Sequence, residues 1–139
     1  DMLGEAAFTA DDAGKYFASY RAALQTLGAR AVGADVFSRP SISVKLSALH
    51  PRYEVKQQAR VRAELLPKII ELAMLAKSLN VGLTIDAEEV NRLELSLGLF
   101  ADLARDQWVT IYVVVWAAIY VTGQVALWRR IMRRNQLLE

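Results

Sequence analysis

Three short runs with strand character, each followed by a stretch with helical spacing, constrain this chain more than any other feature. The first is Met2-Leu3-Gly4-Glu5-Ala6-Ala7, apolar up to Glu5. The second, Ser41-Ile42-Ser43-Val44-Lys45-Leu46, opens directly after Pro40. The third, Val81-Gly82-Leu83-Thr84-Ile85-Asp86, turns polar at Asp86-Ala87-Glu88-Glu89. Strand, helix, strand, helix, strand, helix implies a parallel sheet with helical crossovers. Three units cannot close an eight-stranded barrel, and a bare three-stranded parallel sheet leaves an edge and one apolar face open.

The intervening stretches carry their own signals. Thr9 with Asp12 makes a capping-box pattern, and Tyr16, Phe17, Tyr20, Leu24 and Leu27 follow at helical spacing up to Gly28. Residues 28–40 read as a loop and Ser47 to Arg52 as a turn. Val55 to Leu79 is a long helical pattern with Val61, Leu65, Ile69, Leu72, Ala73, Ala76 and Leu79 on one face. Pro67 lies inside it, which predicts a kink or two abutting helices. A third helix is expected from Asn91 to Ala104, with Leu93, Leu97, Phe100 and Leu103 facing inward.

The last segment breaks this pattern. Trp108 to Trp128 is about 21 residues without charge, the length of a membrane-spanning helix, with Trp108, Tyr112 and Trp128 near its ends. Arg129, Arg130, Arg133 and Arg134 follow, which would make the C-terminal end cytoplasmic. The competing expectation is a buried strand, Ile111 to Val115, followed by an amphipathic helix. Four arginines against Glu139 give residues 108–139 a charge of +3, leaving −1 of the total +2 for residues 1–107. The first segment therefore has no basic face that would argue for nucleic acid. Cysteine is absent, which excludes disulfides and thiolate chemistry, and the single histidine argues against a histidine-rich metal site. The chain starts at Asp1 with no secretion signal and reads as though cut in mid-domain.

In βα architectures reactive groups sit at the C-terminal ends of strands. Three charged residues fall there: Glu5, Lys45 and Asp86. A lysine beside carboxylates can ion-pair with them or bind an anionic substrate group. Each also has an ordinary reading, Lys45 as a solvated or ion-paired residue and Asp86 as a helix cap or turn residue. Glu88 and Glu89 read as first-turn helix charges, and His50, before Pro51, as a loop residue.

At these residues the chain resembles a known family. Residues 1–7, the stretch Ser41 to Tyr53 (SISVKLSALHPRY), and Ile85 to Glu89 with Arg92 to Leu97 resemble, in order, the first three strand regions of the proline dehydrogenase domain of bifunctional proline utilisation proteins. The resemblance covers residues 1–107. It implies an α/β fold, a partial (βα)8 TIM barrel of about three βα units; residues 108–139, outside the resemblance, read from their uncharged run as a separate hydrophobic helix. It implies non-covalent FAD, hydride transfer from L-proline to the flavin to give pyrroline-5-carboxylate, a membrane quinone as electron acceptor, and a place at the cytoplasmic face of the bacterial inner membrane. Lys45 resembles the lysine that pairs with the substrate carboxylate near the flavin. Asp86 resembles the active-site aspartate after strand three, and Glu5 the glutamate that pairs with a substrate-binding arginine. The family's later strands, with the main flavin contacts and a paired-arginine clamp, have no counterpart. Trp108 to Ala118 overlies the fourth strand only loosely, Trp116 standing where a flavin-contacting glutamine is expected, and Arg129-Arg130 lacks the clamp's surroundings. The expectation is thus a fragment that is inactive alone. Two other readings stay open: a membrane-anchored binding or assembly module inserted through 108–128, and a barrel enzyme in which Lys45 forms a Schiff base.

Overall fold

A computed structural model describes residues 6–30, 39–86 and 88–105. Residues 1–5, with the greater part of the first expected strand and Glu5, lie outside the described residues, as does the expected membrane segment 108–128. Among the described residues, no helix is long and apolar enough to cross a membrane.

The first helix, α1, spans Ala10–Gly28. Its start is the capping box read from the sequence: the Asp12 N–H donates to Thr9 Oγ1 at 3.1 Å, and the Asp12 carboxylate accepts the Thr9 N–H at 3.0 Å. Removing such a cap costs about 1 kcal/mol. Ala13, Tyr20 and Leu24 form its buried stripe. Gly28 does more than stop the helix, because a Cβ there would lie 2.8 Å from Leu79 Cβ.

Strand β1 is Ser41–Val44, shorter than expected. Lys45 and Leu46 do not continue it. Leu46–Leu49 instead form a single helical turn, α2, with all four residues buried. A 3-10 turn at Val55–Gln57 leads into α3, Gln58–Ser78. Val61, Leu65, Ile69, Leu72, Ala73 and Ala76 are buried along one stripe, as the periodicity predicted. One helix runs through Pro67, not two abutting ones. Proline removes a donor at that point, but buried Leu65 and Ile69 on either side keep both halves on the same core.

Asn80 ends this unit in the left-handed region, φ 55°, which asparagine tolerates. The Val81 N–H donates to the Ala76 carbonyl at 2.9 Å and the Asn80 N–H to that of Lys77 at 3.2 Å, the paired bonds of a Schellman C-cap. The chain then enters β2, Gly82–Ile85, which pairs in parallel with β1 in the register Ser41↔Gly82 to Val44↔Ile85. The pleat sends Ile42, Val44, Leu83 and Ile85 into a core shared with Tyr20, Leu24, Val61, Leu65 and Leu72. The other face is polar and half-buried, carrying Ser43 and Thr84. Helices therefore cover one face of this two-stranded sheet.

A 3-10 turn at Val90–Arg92 precedes α4, Leu93–Arg105. Here the expected face is rotated. Leu95, Leu99 and Leu103 are buried, whereas Leu97 is 41% exposed and Phe100 only half-buried. Leucines at 93, 95, 97 and 99 leave almost every face apolar, so packing against α3 decides which one turns inward.

Candidate functional site

The sheet register brings two of the three sequence candidates together. The Asp86 N–H donates to the Val44 carbonyl at 2.9 Å, extending the ladder one residue past β2. Asp86 and Lys45 each stand one residue beyond the paired ends Val44 and Ile85, both half-buried. Alternation puts them on the polar face with Ser43 and Thr84. The Ser43 hydroxyl donates to Asp86 Oδ1, so Asp86 is tied across the sheet and is not a helix cap. Glu5 lies outside the described residues. The chain just after it reaches the same rim, where the Ala6 N–H donates to Ser47 Oγ at 3.4 Å and the Ala7 N–H to the Ser47 carbonyl at 2.9 Å.

Residues without a functional signal in the sequence hold this rim in place. The Lys45 N–H donates to the Tyr20 hydroxyl at 3.2 Å, and Tyr20 is 2% exposed. Burial raises the Tyr20 pKa; the Asp86 and Glu88 carboxylates add to that, and the Lys45 N–H and ammonium oppose it. Tyr20 read as an ordinary core residue of α1.

Glu88 is also reassigned. It lies before the 3-10 turn at Val90–Arg92 and is not a first-turn charge: its side chain is 9% exposed, its Oε1 accepts the Ser47 N–H at 2.9 Å and its Oε2 pairs with Arg92 at 3.2 Å. The Arg92 guanidinium also lies over the Tyr53 ring, 5.7 Å from its centroid. The Tyr53 hydroxyl bonds Ser96 Oγ at 2.7 Å, and burial pushes that phenol up to about 12. His50 is a loop residue, as read, following α2, and it is buried and fixed. Its Nδ1 accepts the Arg52 N–H at 3.1 Å, so Nε2 carries the proton and donates to Glu64 Oε2 at 3.1 Å. Lys68 Nζ donates to the Leu49 carbonyl at 3.1 Å, closing the end of α2.

The family model for proline dehydrogenase matches residues 1–133. The chain belongs to the proline dehydrogenase family. The match runs past residue 107, where the resemblance read from the sequence stopped. Pairwise similarity is shorter. The bifunctional protein PutA of Salmonella typhimurium is 50% identical over 103 residues, 74% of this chain and 8% of that protein. That of Rhizobium meliloti is 51% identical over 106 residues, 76% of this chain and 8% of that protein. The chain thus spans about 8% of the length of these relatives. A crystal structure of a bifunctional PutA superposes with a TM-score of 0.74 at 51% identity, over 76% of this chain and 11% of that one. PutA of Bdellovibrio bacteriovorus shares the fold at 19% identity, with a TM-score of 0.68 over 77% of this chain and 12% of that one.

For a proline dehydrogenase, the described rim offers one lysine and two part-buried carboxylates on neighbouring backbone. This donor set suits a small zwitterion, whose carboxylate needs a cation and whose ammonium needs an acceptor. It also suits the polar edge of a flavin ring. Among the described residues there is no glycine-rich loop to cradle the cofactor's phosphates, and no group of three His, Cys, Asp or Glu placed to hold a metal ion.

Proposed function

We propose that residues 1–107 form the first three βα units of a (βα)8 barrel that oxidises L-proline to pyrroline-5-carboxylate. Bound FAD would supply the hydride acceptor. Lys45 would pair with the substrate carboxylate at the flavin's edge. Asp86 would lie opposite and accept from the substrate ammonium or a flavin N–H, while Glu5 would pair with a substrate-binding arginine from a later strand. Residues 108–139 form a separate hydrophobic segment on this reading. Electrons would leave to a membrane quinone, with the barrel at the cytoplasmic face of the bacterial inner membrane.

One observation carries the proposal. Lys45 and Asp86 flank each other beyond the C-terminal ends of two parallel strands, on the polar face, while helices cover the opposite face. A barrel arc has this arrangement, with apolar residues outward to the helices and functional groups at the C-terminal rim. Proximity then does much of the work. A fixed ammonium neutralises the proline carboxylate and orients the ring, and the half-buried setting strengthens that pairing relative to water.

The test uses the purified chain and, as a separate polypeptide, the remaining strands of a homologous barrel. The chain alone is expected to form no stable yellow complex with FAD, because three βα units leave most of the cofactor's surface uncovered. The reconstituted barrel is expected to show proline-dependent flavin bleaching, with KM for L-proline raised roughly 10- to 100-fold by Lys45→Ala, the range for loss of a charge-assisted hydrogen bond. A reconstituted, flavin-loaded barrel that L-proline does not bleach refutes the reading.

A further inference from the structure

The turn after β1 carries Lys45, yet it has no cap of its own. Lys45 occupies the N-cap position of α2 with φ −92° and ψ 124°, and makes no side-chain capping bond. The first N–H groups of a helical turn have no partner within it and must find one elsewhere. Two side chains distant in sequence supply partners. The Tyr20 hydroxyl, from α1, accepts the Lys45 N–H, and the Glu88 carboxylate, from the loop after β2, accepts the Ser47 N–H. Both acceptors are nearly buried, and Arg92 holds Glu88 from behind. Ser47 accepts in turn from Ala6 and Ala7, so this turn joins the backbone following all three candidate site residues.

We propose that Tyr20 and Glu88 are positioning residues, Tyr20 holding the Lys45 N–H and Glu88 the Ser47 N–H of the turn that follows, and that together they fix where the Lys45 ammonium can reach. This rests on the reading of Lys45 as the carboxylate-binding group. A phenol is neutral near pH 7, and burial with the neighbouring carboxylates raises the Tyr20 value further, so the acceptor stays in place beside Asp86. Tyr20→Phe removes the hydroxyl, with its acceptor oxygen and its own O–H, and leaves the ring, and Glu88→Gln keeps an acceptor oxygen while removing the charge.

Hydrogen exchange of the full chain, resolved to single amides, tests the clamp without any need for catalysis. Tyr20→Phe is expected to speed exchange at the Lys45 amide roughly 3- to 10-fold, the ratio one neutral hydrogen bond supports, and to leave the Asp86 amide in the adjacent ladder unchanged. Glu88→Ala should do the same at Ser47, and Glu88→Gln should restore most of the protection. Unchanged exchange at Lys45, equal acceleration at Asp86, or failure of Glu88→Gln to rescue each overturns the clamp. In the reconstituted barrel, Tyr20→Phe should raise KM for L-proline by a similar factor and leave kcat unchanged. It should add nothing in a Lys45→Ala background, whereas a merely structural role would add equally in both. If the amides respond as stated and L-proline is no substrate, the clamp stands and the proposed reaction falls.

Discussion

Replacing Tyr53 by Phe should make the protein weaker near neutrality and stronger in alkali. Tyr53 is 3% exposed and its hydroxyl bonds Ser96. Losing that bond costs about 1 kcal/mol near pH 8, because Ser96 keeps its own bond to the Arg92 carbonyl. The alkaline side runs the other way. Burial moves the folded-state pKa from 10.0 to about 12. Below pH 10 both states hold a neutral phenol and the contribution is constant. Between pH 10 and 12 the unfolded chain ionises while the native one does not. The native state then loses about 1.4 kcal/mol per pH unit, about 3 kcal/mol in all, as pH rises through the folded-state pKa. Phenylalanine carries no such penalty. Wild type minus variant should therefore start near +1 kcal/mol at pH 8, cross zero between about pH 10 and 11, and reach about −1 kcal/mol at pH 12, where the native phenol is half ionised. Urea unfolding followed by circular dichroism across this range gives the difference directly. A difference that stays flat from pH 8 to 12, or a native Tyr53 whose tyrosinate absorbance appears near pH 10, would refute the reasoning.

Gly28→Ala should lower stability by about 1–3 kcal/mol despite the better helix propensity of alanine, because the new methyl meets the root of Leu79 and not a flexible tip; thermal unfolding reads it. Leu65→Ala, at a fully buried site in α3, should cost about 2–5 kcal/mol in a urea titration. The Arg60 side chain, and secondarily His50, hold the Glu64 carboxylate below its ordinary 4.5. That contribution is present above the ordinary value and lost as pH falls through the lowered one, so Glu64→Gln should flatten the acid limb of the stability profile.

Local signals in the sequence translated well into structure. The Thr9–Asp12 box and the α3 stripe depend on spacings of three and four residues, and both form as read. The placement of Lys45 and Asp86 at neighbouring strand ends was legible because a strand-end rule needs only the end of each strand. Tertiary choices were not legible. Leu46 looked like strand, since nothing nearby says that Tyr20 and Glu88 will take up the N–H groups of a helical turn there. Those partners lie 25 and 41 residues away. The inward face of α4 was only partly legible for a related reason: Leu103 is buried and Phe100 packs on the core as expected, but four alternating leucines offer several faces, and Leu95 and Leu99 turn inward in place of Leu97. Glu88 was read as a helix-turn charge because its burial depends on Ser47 and Arg92 together.

The parallel register between β1 and β2 also acts as a ruler. Neighbouring strands stay about 4.8 Å apart whatever side chains they carry. Positions 45 and 86 thus form a two-slot socket one residue beyond the paired ends, with the ladder setting the spacing as far as Val44 and Asp86, the Tyr20 hydroxyl holding the Lys45 N–H, and chemistry set by the occupants. A library varied at these two positions alone would exchange one pair of functional groups for another at nearly constant spacing. A slip of one residue in the ladder would instead carry one slot to the helix-covered side and dissolve the pair, so selection on this socket is also selection on register.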